Sequence, residues 1–382
     1  MLRYLTAGES HGKALLALVD GFPAGVQLQP DLIDAELRRR QGGYGRGGRQ
    51  KIEADHVDIL SGTWHGISLG SPIALLIPNK DYKIEQMDDL ARPRPGHGDL
   101  SGSIKYLVSV RAILERASAR ETATRVAAGA LAKQLLAPLG LTAFGYVVQV
   151  GPLAIEPKPG TLDEQRTRRD QSVMYTLDPD RDEEVKQLVD QCQRSGDTLG
   201  GIIEVRVEGL PFGLGTHAQW DEKLDGRLAH AVMAVQAMKG CEIGMGFEAA
   251  RLPGSAVHDP IQFDASQAGT RTLGFVRPRN NAGGLEAGMT NSQPLVIRVA
   301  KKPISTLAKP LESVNLRTKQ PESASYERSD VCAVAAASCI LENVVAFEVA
   351  RAIVEKFGGD NLEEIQQRIE LFYTMARKKL DL

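Results

Sequence analysis

Apolar and polar residues alternate from Leu2 to Thr6, break at the glycine turn Gly8 to Gly12, and give way to an apolar run from Ala14 to Val19 that stops at Asp20-Gly21. Alternation on both sides of a short turn predicts a β-hairpin. After Pro30-Asp31 the spacing lengthens to that of a helix, with Ile33 and Leu37 on one face, Arg38, Arg39 and Arg40 at its end, and Gly42-Gly43 as the break. Residues 52–78 read as strands turning at Ser61-Gly62 and Gly70-Ser71, and residues 79–92 as a polar loop. A long helix is predicted to open on Arg116, Ser118 and Arg120 and to run on through Ala127, Ala128, Gly129 and Ala130. Side chains that small let helices pack closely, which marks a buried element.

The second half continues the mixture. Strands are expected over Leu141 to Leu153, residues 200–209 and Leu295 to Val299, with residues 157–180 read as loop-rich. Asp182 to Arg194 reads as an exposed amphipathic helix. Asp221 to Lys239 reads as a helix that turns Leu224, Leu228, Val232 and Val235 inward and ends at Gly240. The Gly/Asn-rich segment 277–292 reads as a loop suited to backbone capture of a ligand. A helix rich in alanine and valine follows Arg328 and Asp330 and ends near Gly358-Gly359, and Leu362 to Leu380 closes the chain as an amphipathic helix. No repeat and no Pro/Ser linker divides the 382 residues, so the expectation is one α+β domain, with buried helices between antiparallel strands.

Composition adds limits. A net charge of −2 gives no global bias toward nucleic acid or anionic membrane, so any positive field must be local. The 38 glycines are about a tenth of the chain, against a usual ~7%, which implies many tight turns or close approaches to ligands. Cys192, Cys241, Cys332 and Cys339 lack CxxC spacing, which argues against a zinc knuckle or a thioredoxin-type pair and for free thiols in a reducing compartment. No signal-peptide pattern opens the chain, and the apolar runs fall short of the ~18 residues of a membrane span. The expected location is the cytoplasm.

The chemistry gathers between residues 94 and 125, where a Pro-Gly turn presents His97 and Asp99 ahead of Arg116, Ser118 and Arg120. Arginine donors match phosphate and carboxylate in bidentate fashion, and a helix start favours anions. The bland alternative is a solvated helix end laced by Glu115, Arg116, Arg120 and Glu121. His11, between glycines, is a candidate acid or donor. The surrounding Gly8–Gly12 matches G-x-S-x-G, but only seven residues precede it and Gly21 and Pro23 follow, so it lacks the strands and helix of a hydrolase elbow. The Arg/Gly tract around Tyr44, with Arg46, Arg49 and Lys51, resembles an RNA-binding segment. It occurs once, directly after a helix, which fits a glycine loop carrying arginines over a small anion better. With no P-loop and no GxGxxG between strand and helix, the residues point to an enzyme acting on a small phosphorylated acid, with no nucleic-acid or membrane partner.

Eight blocks taken together resemble the chorismate synthase family: GESHG at Gly8, RRRQGGYGRGGRQ at Arg38, RPGHGD at Arg94, ERASARETATRVAAG at Glu115, KLDGRLAHAVMAVQAMKG at Lys223, NNAGGLEAGMTN at Asn280, KKPISTL at Lys301 and ERSD at Glu327. The resemblance spans nearly the whole chain. It implies a 1,4-elimination of phosphate from 5-enolpyruvylshikimate 3-phosphate to give chorismate, requiring reduced FMN without net redox. NADPH is the implied reductant, acting on this chain or through a separate reductase. It also implies a homotetramer whose long helices lie between two antiparallel sheets in a β-α-β sandwich. By the same resemblance His11 assists the departing phosphate, His97 protonates the reduced flavin, and Asp330 helps the flavin N5 take the substrate proton. Arg40, Arg46, Arg94, Arg120 and Arg328 hold the substrate's phosphate and carboxylates. The implied FMN contacts are Arg116, Ala117, Ser118, Gln236, Ala237, Ala287, Lys302, Pro303, Ile304, Ser305, Thr306 and Arg328. No metal is implied. Gly98, Leu107, Ala287, Ser292 and Ala335 depart from the family's usual residues, three of them (Leu107, Ala287, Ser292) standing where glycine is common.

Overall fold

The computed structural model describes residues 1–47, 54–327 and 329–382, so Arg49, Lys51 and Arg328 lie outside the described residues. The expected hairpin is present. Strand Arg3–Ala7 pairs antiparallel with Ala14–Asp20, and Ile73–Pro78 and Asp58–Ile59 extend the sheet beyond it. One face buries Leu15, Ala17, Val19, Ile73, Leu75 and Ile77, while Leu5, Leu16 and Leu18 remain exposed on the other. A second, fully antiparallel sheet runs in the order Met238–Ile243, Leu295–Lys301, Gly201–Glu208, Thr142–Val150 and Leu153–Ala154. It turns Ile203, Val205, Val207, Leu295, Ile297 and Val299 inward.

Between the early strands and the second sheet the chain forms α1 (Pro30–Gln41), α2 (Asp99–Tyr106), α3 (Val110–Ala117) and α4 (Thr122–Leu136). Then follow α5 (Leu162–Gln171), α6 (Asp182–Arg194), α7 (Leu224–Met233), the single turn α8 (Gly254–Val257), α9 (Val334–Phe357) and α10 (Leu362–Leu380). Helix α4 packs on the first sheet, α9 on the second, and the two helices pack along each other. The small-residue stretch makes this contact possible: a Cβ on Gly129 would sit 2.3 Å from the Asn343 carbonyl oxygen. Beside it runs a buried ionic network in which Glu342 accepts from Arg39 at 2.9 Å, Lys133 at 2.5 Å, Arg169 at 3.2 Å and the Gly145 amide at 2.8 Å. Removing one member would strand the others in low dielectric, so the network fixes how α1, α4 and α9 sit together.

Four stretches differ from expectation. The helix expected to open at Arg116 is interrupted, because Arg116 lies in the last turn of α3 and α4 begins only at Thr122. Leu107, at φ +55°, ends α2; Ser109 caps α3 by accepting from the Ala112 amide at 3.2 Å; and Ser118 breaks the chain in an extended conformation and caps a 3-10 turn, Ala119–Glu121, that leads into α4. Serine competes with the backbone for hydrogen bonds and so favours caps over helix interiors. The helix expected to reach Lys239 stops at Met233, because Ala237 adopts φ +70° and Met238–Ile243 is recruited as an edge strand against Leu295–Lys301. Residues 157–180 contain α5, announced by a capping box in which Thr161 and Glu164 satisfy each other's amides. The expected loop 277–292 also holds the short strands Leu285–Glu286 and Met289–Asn291.

Leu107 and Ala287, two positions where glycine is common in the resembled family, both sit in the left-handed region, at φ +55° and +50°. An L-residue there costs roughly 1–2 kcal/mol, partly offset by the extra entropy that glycine loses on folding. Leu107 is 88% exposed and surrenders almost no burial. The double change Leu107→Gly, Ala287→Gly is therefore expected to raise Tm by about 1–2 °C. A thermal melt that moves down would show that these side chains do something the backbone angles do not reveal.

Candidate functional site

His11 is held from below by α3. Its backbone amide donates to Glu115 Oε2 at 2.8 Å and its ring Nδ1 lies 3.0 Å from both oxygens of that carboxylate. Burial alone would raise the Glu115 pKa, but hydrogen bonds from the His11 ring and amide, with help from Arg111, hold it below the usual carboxylate range. The neighbouring Ser10 amide donates to the Glu115 carbonyl at 2.9 Å, and Ser118 Oγ lies 3.2 Å from Ser10 Oγ. Asn79 closes the turn by donating to the Gly12 carbonyl at 2.8 Å, and its own oxygen accepts from Arg120 Nε at 2.9 Å.

Through Arg120 the histidine turn meets α1. Arg120 Nη1 reaches both oxygens of Asp55, at 2.6 and 2.7 Å, and Arg40 reaches the same carboxylate at 3.4 Å while also donating to Thr122 Oγ1 and the Ala119 carbonyl. Burial lowers the Arg40 pKa to about 10; Asp55 opposes the shift, and the positive fields of Arg120 and Arg46 add to it. It remains protonated at neutral pH. Arg40 thus feels the positive charge of both Arg46 and Arg120, and Asp55 is the carboxylate that Arg40 and Arg120 share. Guanidinium groups gathered in this way suit an anionic ligand.

A second cluster forms on the Pro-Gly turn. Arg94 Nε and Nη2 donate to the two oxygens of Asp99 at 2.8 and 3.0 Å, and Nη1 donates to Thr306 Oγ1 at 2.8 Å. His97 Nδ1 lies 2.5 Å from Asp99 Oδ1, and Arg94 Nη2 lies 3.2 Å from the same ring nitrogen. Asp99 is buried, which would raise its pKa, yet bonds from His97, from the Arg94 side chain and from the Arg94 amide hold it well below the usual range. Lys302 donates to the Gly96 carbonyl. Burial lowers its pKa, and Lys239 adds to the effect.

Asp330 belongs to a third cluster, accepting from the Gly47 amide at 2.6 Å and pairing with Arg46 at 3.2 Å. Ser329 Oγ donates to the Thr306 carbonyl at 3.2 Å, tying this cluster to the second. A cavity of about 230 Å³ opens against Tyr44, Arg46, Gly47 and Ser329. Gly47 allows a close approach there, since a Cβ would sit 3.0 Å from the Ser329 carbonyl oxygen and 3.2 Å from Asp330 Oδ1. The ends of the chain are joined indirectly, since Arg111 lies 3.8 Å from Glu115 and donates to Glu327 at 2.9 Å. A larger groove of about 590 Å³, beside Leu28, His56 and Leu60, includes no residue of these three clusters.

The other sequence-expected residues divide. Gln236 donates to Glu121 at 3.1 Å, Ala237 accepts from the Lys302 amide at 2.9 Å, and Ile304 accepts from Thr198 Oγ1 at 2.7 Å, so the 236–237 and 302–306 segments stand together beside the second cluster. Arg116 instead closes α3 and donates to the carbonyls of Gly8 and Thr6, at 3.0 and 2.9 Å, bracing the histidine turn from behind. The helix start expected at Arg116 therefore lies later in the chain, after Arg120 on the 3-10 turn. Ala287 sits on the turn beside the start of α7, where the Leu224 amide donates to Gly288, with no described contact to the histidine clusters. Glu115, Asn79 and Asp55 escaped sequence reasoning as members of the site. Glu115 stood inside the arginine-rich block and was read there only as a helix-end charge; Asp55 carried no signal, since its partners Arg40 and Arg120 lie 15 and 65 residues away.

Two histidines with carboxylate partners, set among arginines in a mixed α and β fold, are an arrangement suited to an enzyme acting on a small molecule. Comparison with known proteins makes this specific. The chorismate synthase family model matches residues 2–354. A chorismate synthase of Trichlorobacter lovleyi is 52% identical over 96% of this chain and 97% of its own length, and that of Geobacter metallireducens is 52% identical over 99% and 100%. A crystal structure of chorismate synthase superimposes with a TM-score of 0.81 at 41% identity, covering 99% of this chain and 98% of the other. The chain belongs to the chorismate synthase family. Its activity is that of the lyase completing the shikimate pathway, on the route to the aromatic amino acids. No described helix is long and apolar enough to cross a membrane.

Proposed function

We propose that the three clusters wall a single pocket in which 5-enolpyruvylshikimate 3-phosphate loses its phosphate by 1,4-elimination. The observation that carries the reading is the sharing of Asp55 by Arg40 and Arg120, with Arg120 joined through Asn79 to the turn on which Glu115 holds His11. In this reading Arg40, Arg120 and His11 face the phosphate, with the arginines stabilising the charge that grows as the C–O bond breaks. Arg46 and Arg94 take carboxylates, and Arg328 joins them. Asp330, oriented by Arg46 and the Gly47 amide, stands where a proton leaving the substrate can be drawn off.

The residues around the second cluster suit FMN. Gln236 Oε1 is a buried acceptor with no partner among the described residues, and Lys302, Ser305 and Thr306 lie against the Pro-Gly turn that carries His97. When bound, reduced FMN supplies electron density that lets an unactivated allylic system release phosphate without net redox. His97, anchored through Nδ1 to Asp99, holds and returns a proton at its exposed edge, and the Lys302–Thr306 strap orients the cofactor side of the pocket. NADPH as its source of electrons, a homotetramer, a cytoplasmic location and a single-domain sandwich of long helices between the two sheets complete the reading.

Anaerobic incubation of the purified protein with the phosphorylated substrate and chemically reduced FMN is expected to release chorismate and inorganic phosphate in equal amounts. Folded protein that yields neither product would falsify the proposal.

A further inference from the structure

We infer that Glu115 is a positioning residue for His11: it clamps the ring with Nδ1 protonated, so that Nε2 is the nitrogen presented to the departing phosphate. The inference rests on the reading of His11 as the group beside that phosphate. Glu115 is 1% exposed and meets His11 three times, once at the backbone amide and twice at Nδ1, so neither the ring's position nor its rotation is free. A carboxylate only accepts, which obliges Nδ1 to donate and fixes the tautomer.

The two histidine–carboxylate pairs are not equivalent. Asp99 divides its charge between His97 and a bidentate Arg94, whereas the cation nearest Glu115, Arg111, stands 3.8 Å away and also engages Glu327. The negative charge of Glu115 is therefore available to stabilise an imidazolium at His11. The other charged groups facing the ring are Asp81, whose Oδ2 is 3.7 Å from Nε2, and Lys83, which pairs with Asp81 at 2.8 Å. As the C–O bond breaks, its electron pair leaves with the phosphate oxygen, the Nε2 proton passes to the phosphate, and the neutral ring keeps its Nδ1–H on Glu115.

Nitrogen NMR of the free, histidine-labelled protein, with His11 assigned by its loss in His11→Ala, reads the ring directly. In its neutral form the ring is expected to be the Nδ1–H tautomer, and finding Nε2–H would overturn the inference without any Glu115 variant. In turnover, Glu115→Gln is expected to lower kcat by about 100-fold or more with KM little changed, as when a histidine's orienting carboxylate becomes an amide. The alkaline limb of its pH profile should move to lower pH by about one unit, because the imidazolium loses its counter-charge. Glu115→Asp should recover part of both. A Glu115→Gln enzyme with an unmoved alkaline limb would mark the residue as structural only. A wild-type protein that makes no chorismate would instead refute the assigned reaction while leaving the tautomer measurement intact.

Discussion

Replacing His97 by alanine is expected to lower kcat by about 10²–10⁴-fold, the usual range for a positioned acid–base group, while the KM for the phosphorylated substrate changes little. The local structure predicts that this variant folds. His97 is partly exposed, and Asp99 keeps the two hydrogen bonds from the Arg94 side chain and a third from its backbone amide when the ring is gone. The loss should therefore appear in steady-state turnover under anaerobic conditions with reduced FMN, and not in the melting temperature. Full kcat in His97→Ala would remove it from the mechanism and leave Asp99 as a purely structural partner of Arg94.

The largest effect on stability is expected at Asp55. Its buried carboxylate accepts from Arg120 at 2.6 and 2.7 Å and from Arg40 at 3.4 Å, so Asp55→Asn leaves two buried guanidinium groups without the charge they share. Breaking one side of a buried ion pair costs about 3–5 kcal/mol, which for a chain of this length is on the order of 4–6 °C in Tm. Arg40 and Arg120 also splay when that charge is lost, so KM for the phosphorylated substrate should rise along with the loss of stability. Unchanged melting and KM would mean that neighbouring groups, not Asp55, hold the two arginines in place.

Legibility varied along the chain for identifiable reasons. The first hairpin, α1, α6, α9 and α10 follow from local periodicity and from breaks at Gly42, Gly358 and their like, and α10 spans the same Leu362–Leu380 in sequence and structure. Periodicity failed where another force won. At Ser118 side-chain capping divided an expected helix, and at Met238–Ile243 pairing with Leu295–Lys301 outweighed helical pattern. The Thr161–Glu164 capping box was readable in the sequence and marks α5.

By itself the sequence determined the chemistry available: two glycine-flanked or proline-flanked histidines, a surplus of arginines, small residues along the central helices, and eight motifs in one family's order. Those are properties of residue type and spacing, carried by the chain whatever its shape. Tertiary structure decided which charge answers which. It set Glu115 under His11, divided Asp99 between His97 and Arg94, turned Arg116 back onto the first strand, and gave Asp55 to Arg40 and Arg120. The physical reason is range. Capping and periodicity act within a few residues, whereas a buried carboxylate is stabilised by whichever donors the packed helices bring within about 3 Å, and their place in the sequence plays no part in that choice.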